Sequence, residues 1–247
     1  MPELKKDTTN KKVQPIGKTV VNASPGKSIK SVSNSVVFTF MITYTILLTT
    51  ATITLIEALR TKVPYARHVL NLETCISLVA SYYYGIFITK VQDKTVRVDW
   101  SEITKLRYID WSITTPMMLI ALCLVLGLNS KTVIHFPVIA SIIALNYCML
   151  FIGYQGELYP QYRVQAMIGG FIPFFAMFYI IYRNFYGKNV FANKIMFYFY
   201  AIVWGLYGIV YMFDELTKNA CLNILDLIAK CLIGLGLWVY YARIIQR

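Results

Sequence analysis

Seven separated apolar runs leave this 247-residue chain few ways to fold. The hydrocarbon core of a bilayer takes about 20 residues of helix to cross. Runs near that length occur at Val36–Leu59, Leu72–Ile88, Ile103–Leu126, Val133–Tyr154, Val164–Ile181, Val190–Phe213 and Ala220–Tyr241. Inside lipid each peptide group must be satisfied within its own segment or a closed barrel, and runs of this length select helices. The connections are short, so successive helices are antiparallel neighbours. The expectation is an all-α membrane protein: a seven-transmembrane-helix bundle over residues 36–247 behind a polar, Lys-rich tail over 1–35. The first run begins too late and is too long for a cleaved signal peptide.

Composition supports this reading. The chain is 57% hydrophobic and 15% charged, against about 45–50% and about 25% in soluble domains, so a soluble enzyme and a disordered chain are both excluded. Of the net charge of +12, about +5 lies in the tail, where Lys5, Lys6, Lys11, Lys12, Lys18, Lys27 and Lys30 precede the first apolar run beside Glu3 and Asp7, and +7 lies in the remainder. A basic tail beside membrane spans suits solvent or lipid headgroups, and no nucleic-acid partner is expected. Gly26-Lys27-Ser28 resembles the end of a phosphate-binding loop, but the position five residues before Gly26 is Val21 where that loop requires glycine. The sequon Asn22-Ala23-Ser24 is followed by Pro25, which makes it a poor glycan acceptor.

Arg60, Lys62, Arg67, Lys131, Arg183, Lys188, Lys194, Arg243 and Arg247 fall on one side of the bundle. Lys90, Lys94, Arg97, Lys105, Arg163 and Lys218 fall on the other, offset by Asp93, Asp99, Glu102 and Glu157. The positive-inside rule then puts the C-terminus in the cytoplasm and the N-terminus outside, although the tail lysines argue the other way. An integral multi-pass protein of the plasma membrane is expected. Cys75, Cys123, Cys148, Cys221 and Cys231 all lie inside apolar runs without CxxC spacing, so neither a disulfide framework nor a metal site is implied.

An ionisable side chain at mid-membrane costs roughly 2.5–3.5 kcal/mol on insertion scales and calls for a partner or a task. The last run holds Asp226 and Lys230, four apart on one helix face; the third holds Arg107 and Asp110, three apart. Their formal charges sum to zero. A buried lysine among apolar residues is also the side chain that condenses with an aldehyde.

At these residues the chain resembles the microbial, or type 1, rhodopsins. The third run reads Arg107-Tyr108-Ile109-Asp110-Trp111-Ser112-Ile113-Thr114-Thr115-Pro116, close to the family's RYxDWxxTTP. The last reads Asp226-Leu227-Ile228-Ala229-Lys230, its DxxxK, and the sixth reads Trp204-Gly205-Leu206-Tyr207-Gly208-Ile209-Val210-Tyr211, similar to WxxYPxxW. The resemblance covers nearly the whole chain after the tail and points to the viral branch.

It implies all-trans retinal bound covalently to Lys230 as a protonated Schiff base. Asp110 and Asp226 would be paired counterions, with Arg107 stabilising both and Thr114 hydrogen-bonding Asp110. Trp111, Thr115, Met118, Met149, Gly153, Trp204, Tyr207 and Tyr211 would form the pocket, with Met118 at a colour-tuning position where an apolar residue goes with green absorption.

The chain also departs from the pattern. A pumping relative usually carries a carboxylate proton donor where this chain has Ala121; its second release carboxylate aligns with Lys218; the sixth-helix proline is Gly208; and a pocket tryptophan becomes Met167. Thr39, Thr43, Thr50, Thr54 and Glu57 form a polar stripe on the first run, and Glu73, Ser77, Ser81 and Tyr84 form one on the second. With Asn223, these residues sketch an ion path through Glu57, Glu73, Ser77 and Asn223. Ser and Thr in membrane helices equally bond back to their own backbone or join helices.

A light-activated retinal protein that moves cations across the membrane is expected, with a light-gated cation channel ahead of a light-driven outward proton pump. A light sensor signalling to a partner protein is a third class. The expected partners are the bilayer, retinal and transported protons or monovalent cations, with a homo-oligomer as a family habit.

Overall fold

The computed structural model describes residues 32–93, 97–187 and 190–245. The tail lysines, the Asn22 sequon and the Gly26-Lys27-Ser28 segment lie outside them.

The seven expected spans form seven helical rods, and all seven are long and apolar enough to cross a membrane. They are α1 Asn34–Arg60, α2 Pro64–Gln92, α3 Trp100–Ser130, α4 Phe136–Leu158, α5 Arg163–Phe185 and α6 Phe191–Val210, then a seventh rod. That rod is α7 Glu215–Asp226, a π-helical segment Leu227–Leu232 and α8 Ile233–Ile245 in continuous succession. A short 3-10 turn, Pro160–Tyr162, leads into α5. The π segment contains Lys230; such local widening of a helix is rare overall and frequent at functional sites.

Five of the rods run past their apolar runs because polar residues continue the turns beyond the hydrocarbon, whereas α4 begins at Phe136, inside its run, and α6 stops at Val210, short of Phe213. α2 starts eight residues before Leu72, at Pro64, whose missing N–H and fixed φ suit a first turn. The α3 start is held by Asp99, whose side chain accepts from the Ser101 and Glu102 N–H groups at 2.9 and 3.2 Å. Asp214 caps α7 in the same way, accepting from Thr217 N at 3.1 Å. The hydrogen bonds from Thr217 hold the Asp214 carboxyl below the usual carboxylate range. A depressed folded-state pKa adds stability above the ordinary carboxylate pKa and loses it as pH falls through the folded value. Asp214→Asn is therefore expected to flatten the acid limb of a thermal-bleaching profile.

Pro116 lies inside α3 and leaves the Ser112 carbonyl without its helical donor. The Tyr147 hydroxyl of α4 donates to that carbonyl at 3.0 Å and satisfies the break. Phe136, Phe151, Ile172, Phe191 and Ile202 are among the large side chains left exposed, an apolar coat suited to lipid. The buried polar residues gather inward: Arg107, Asp110, Thr114, Asn146, Lys218, Asn219, Asn223, Asp226 and Lys230 are all at most 2% exposed.

Candidate functional site

The four ions predicted for mid-membrane meet at one place. Lys230 Nζ donates to Asp110 Oδ2 at 2.8 Å and lies 3.6 Å from Asp226 Oδ1. The two carboxylates differ in how they are held. Asp226 Oδ1 accepts from the Tyr207 hydroxyl at 2.8 Å and Trp111 Nε1 at 3.4 Å; its Oδ2 accepts from the Tyr84 hydroxyl at 2.8 Å and Arg107 Nη1 at 3.3 Å. Both of its oxygens are thus committed to donors that favour the anion. Asp110 has Lys230 on Oδ2, and its Oδ1 is buried with no hydrogen-bond partner. The arrangement gives one fixed anion and one carboxylate with an open lone pair beside an ammonium.

Two expectations are corrected. Thr114 donates to the main-chain oxygen of Asp110 at 2.9 Å and not to its carboxylate; a helical threonine reaches the carbonyl four residues back more readily than a side chain on that turn. Arg107 was expected to serve both carboxylates but ion-pairs with Asp226 alone among the described residues. Its guanidinium is turned toward the seventh rod by Asn219 Oδ1 at 3.2 Å and Asn223 Oδ1 at 2.8 Å. On its other sides stand the rings of Phe40, Tyr84 and Phe87, 5.1–5.9 Å from the guanidinium carbon.

A cavity opens from Lys230 between α3, α4, α5, α6 and the seventh rod. The pocket residues expected from the sequence all line it: Trp111, Thr115, Met118, Met149, Gly153, Trp204, Tyr207 and Tyr211. Tyr211 lies just past α6, where its hydroxyl donates to the Gly153 carbonyl at 2.9 Å. Met167, Phe171, Phe174 and Gly208 complete the wall. Gly208 lets the Phe171 ring approach closely: a Cβ there would come within 2.5 Å of the ring, which would have to shift.

Sequence reasoning missed four features. Tyr84 and Asn219, as ligands of the Arg107–Asp226 pair, face it only once α2 and the seventh rod are packed. Asn146, on α4, donates to Thr115 Oγ1 at 2.8 Å and leaves its own Oδ1 without a partner. The fourth is an ionic cluster at the cavity's Arg107 end. Lys218 Nζ, read from the sequence as a loop charge, is buried and bonds Glu157 at 3.0 and 3.1 Å and Glu215 at 2.9 Å. Arg163 Nη2 stands 3.6 and 3.8 Å from the same two carboxylates. Lys218→Met is expected to destabilise the fold by about 3 kcal/mol, the low end for breaking a buried pair because Glu215 reaches water; thermal loss of the folded protein measures it.

The proposed ion path divides. Glu73 and Ser77 are buried on α2, with Glu73 Oε1, Ser77 Oγ and Thr50 Oγ1 lacking partners. The Glu73 carboxyl lies against Gly234, one turn past Lys230, where a Cβ would be 3.2 Å from Oε2. That is the side of Lys230 opposite the Arg107–Asp226 network. Glu57 is half-buried near the end of α1 and joins none of these groups. Asn223 is part of the Arg107 network.

A family model described as bacteriorhodopsin-like protein matches residues 19–245. The crystal structure of viral rhodopsin OLPVRII superposes with a TM-score of 0.79 at 38% identity, covering 85% of this chain and 98% of that one. The proton-pumping rhodopsin AR2 from the marine alga Acetabularia acetabulum gives a TM-score of 0.72 at 19% identity, covering 88% and 99%, a likeness of fold. Opsin-1 of Neurospora crassa is 29% identical over 147 residues, 53% of this chain and 47% of that protein, so the match spans about half of the relative's length. With a family model matching nearly all of the chain beyond its tail, and with the lysine, carboxylates and aromatic cavity where that family's motifs fall, the chain belongs to the bacteriorhodopsin-like family, the microbial rhodopsins.

Proposed function

We propose that the protein binds retinal at Lys230 and uses light to move protons across the membrane, outward if the C-terminus is cytoplasmic. The cavity suits such a group: it begins at a buried amine set beside two carboxylates and is walled mainly by aromatic and apolar side chains. When bound, retinal supplies light absorption and an isomerisation that reorients the proton on Nζ. Asp110 receives that proton, because Oδ1 has a free lone pair and Oδ2 is already 2.8 Å from Nζ. Asp226 stays an anion under its four donors and keeps the site neutral overall.

The observation that favours pumping over a channel is the buried carboxyl of Glu73 beyond Lys230. Ala121 offers no proton there, but Glu73, buried and without an ion pair among the described residues, is a proton store. Glu73→Gln is expected to slow recovery of the dark state about 10²-fold and to make that rate follow the pH of the medium, as read by flash photolysis. A rate equal to wild type would remove Glu73 from the proton's route.

A light-gated cation channel is the second reading, carried by the polar stripes of α1 and α2. Photocurrent against voltage in retinal-supplied cells separates the two. Current of one sign at every voltage supports the pump, reversal at an ionic equilibrium potential supports the channel, and no current leaves signalling.

A further inference from the structure

We infer that Asn223 is the latch that keeps this chain from leaking cations. The inference rests on the reading of light-driven transport and assigns to one side chain the barrier between pumping and passive flow.

The polar stripes of α1 and α2 run along the inner seam against the seventh rod, and Asn223 is where they are tied off. Its Nδ2 donates to Thr39 Oγ1 on α1 at 2.9 Å. Its Oδ1 accepts from Arg107 Nη2 on α3 at 2.8 Å and lies 3.1 Å from the Tyr84 hydroxyl on α2, whose single proton it shares with Asp226 Oδ2 at 2.8 Å. Its main-chain oxygen accepts from Thr43 Oγ1 at 3.2 Å. One fully buried carboxamide on α7 therefore bonds the three other helices that border the seam.

On the far side of Lys230 the same seam looks different. Thr50, Glu73 and Ser77 keep buried polar atoms without protein partners, the kind of atoms that ordered water satisfies. On the Arg107 side the carboxamide's own polar atoms are engaged by protein, and among the described residues Arg107 Nε is the buried atom beside it without a partner, so a more wettable half meets a more fully bonded one near Asn223.

The latch also fixes a charge. Arg107 reaches Asp226 at 3.3 Å, and both of its seventh-rod amide contacts, to Asn219 and Asn223, go through Nη2. Asn223 supplies the shorter of the two. Held there, with Phe40, Tyr84 and Phe87 around it, the guanidinium is a fixed positive charge across the seam, and such a charge raises the barrier to cations. Without the Asn223 carboxamide, Arg107 loses its shorter amide acceptor and Thr39 its bond to α7, Tyr84 keeps only Asp226 on that helix, and the seam can admit water and ions from both halves.

The test uses the full chain in retinal-supplied cells, with photocurrent recorded against voltage under sodium gradients of either direction at equal pH. Asn223→Ala is expected to add a passive component at least as large as the pumped current, with a reversal potential that follows the sodium gradient. Thr39→Val, which removes one arm of the latch, is expected to add a smaller component of the same kind. An Asn223→Ala protein that keeps its visible band and shows no reversing component overturns the inference; if that variant lacks the band, Thr39→Val decides by the same criterion. A wild type without one-signed current sinks the pumping reading alone, because the latch is judged by the component each variant adds to wild type.

Discussion

Replacing Lys230 with alanine is expected to abolish the visible absorption band and every light response together. Lys230 Nζ is the amine at the head of the cavity, at most 2% exposed and hydrogen-bonded to Asp110. The other described lysines stand outside this centre, and Lys218, the one that also lines the cavity, is engaged by two glutamates. Stability should fall as well, because Asp110 and Asp226 then face Arg107 alone, and removing one partner of a buried ion pair typically costs about 3–5 kcal/mol. A visible band in Lys230→Ala protein supplied with retinal would refute the covalent assignment.

The second large effect is expected of Asp110→Asn. The carboxylate stabilises positive charge at Nζ most in the ground state, so its loss should narrow the electronic gap and move absorption to the red. The same change removes the acceptor with the open lone pair, and transport should drop by at least about 10²-fold, the lower range for losing a positioned proton acceptor. Asp226→Asn makes the contrast. It strips Arg107 of its only ion-pair partner among the described residues and disturbs four donors, so its main effect should be on folding, with the Nζ-to-Asp110 transfer retained in whatever protein survives. Equal transport defects in the two variants at equal stability would contradict the assignment of one acceptor and one fixed anion.

The bundle was legible because lipid imposes a length and a composition on every span, and those are properties of single segments. Helix ends were not, since Pro64, Asp99 and Asp214 act through turn geometry and capping rather than hydropathy. The charged quartet could be read because two pairs sit at helical spacing where charge is costly. Which partner each ion chooses could not, because Arg107 is aimed by Asn219 and Asn223 from another helix. Lys218 looked like a loop charge for the same reason: its burial depends on Glu157 across the bundle. Thr114 shows the limit of spacing as an argument, since one helical turn from Asp110 placed its hydroxyl on a backbone carbonyl.

On the proposed reading, light absorbed by retinal held at Lys230 drives protons from the Glu73 side toward the Arg107 side. The most direct test is the pH of an unbuffered suspension of liposomes holding purified, retinal-loaded protein in known orientation. Steady illumination is predicted to produce a sustained proton gradient with that polarity, collapsed by a protonophore and absent in the Lys230→Ala protein. An unchanged pH under light that bleaches and restores the visible band, or a gradient of opposite polarity, would contradict the account.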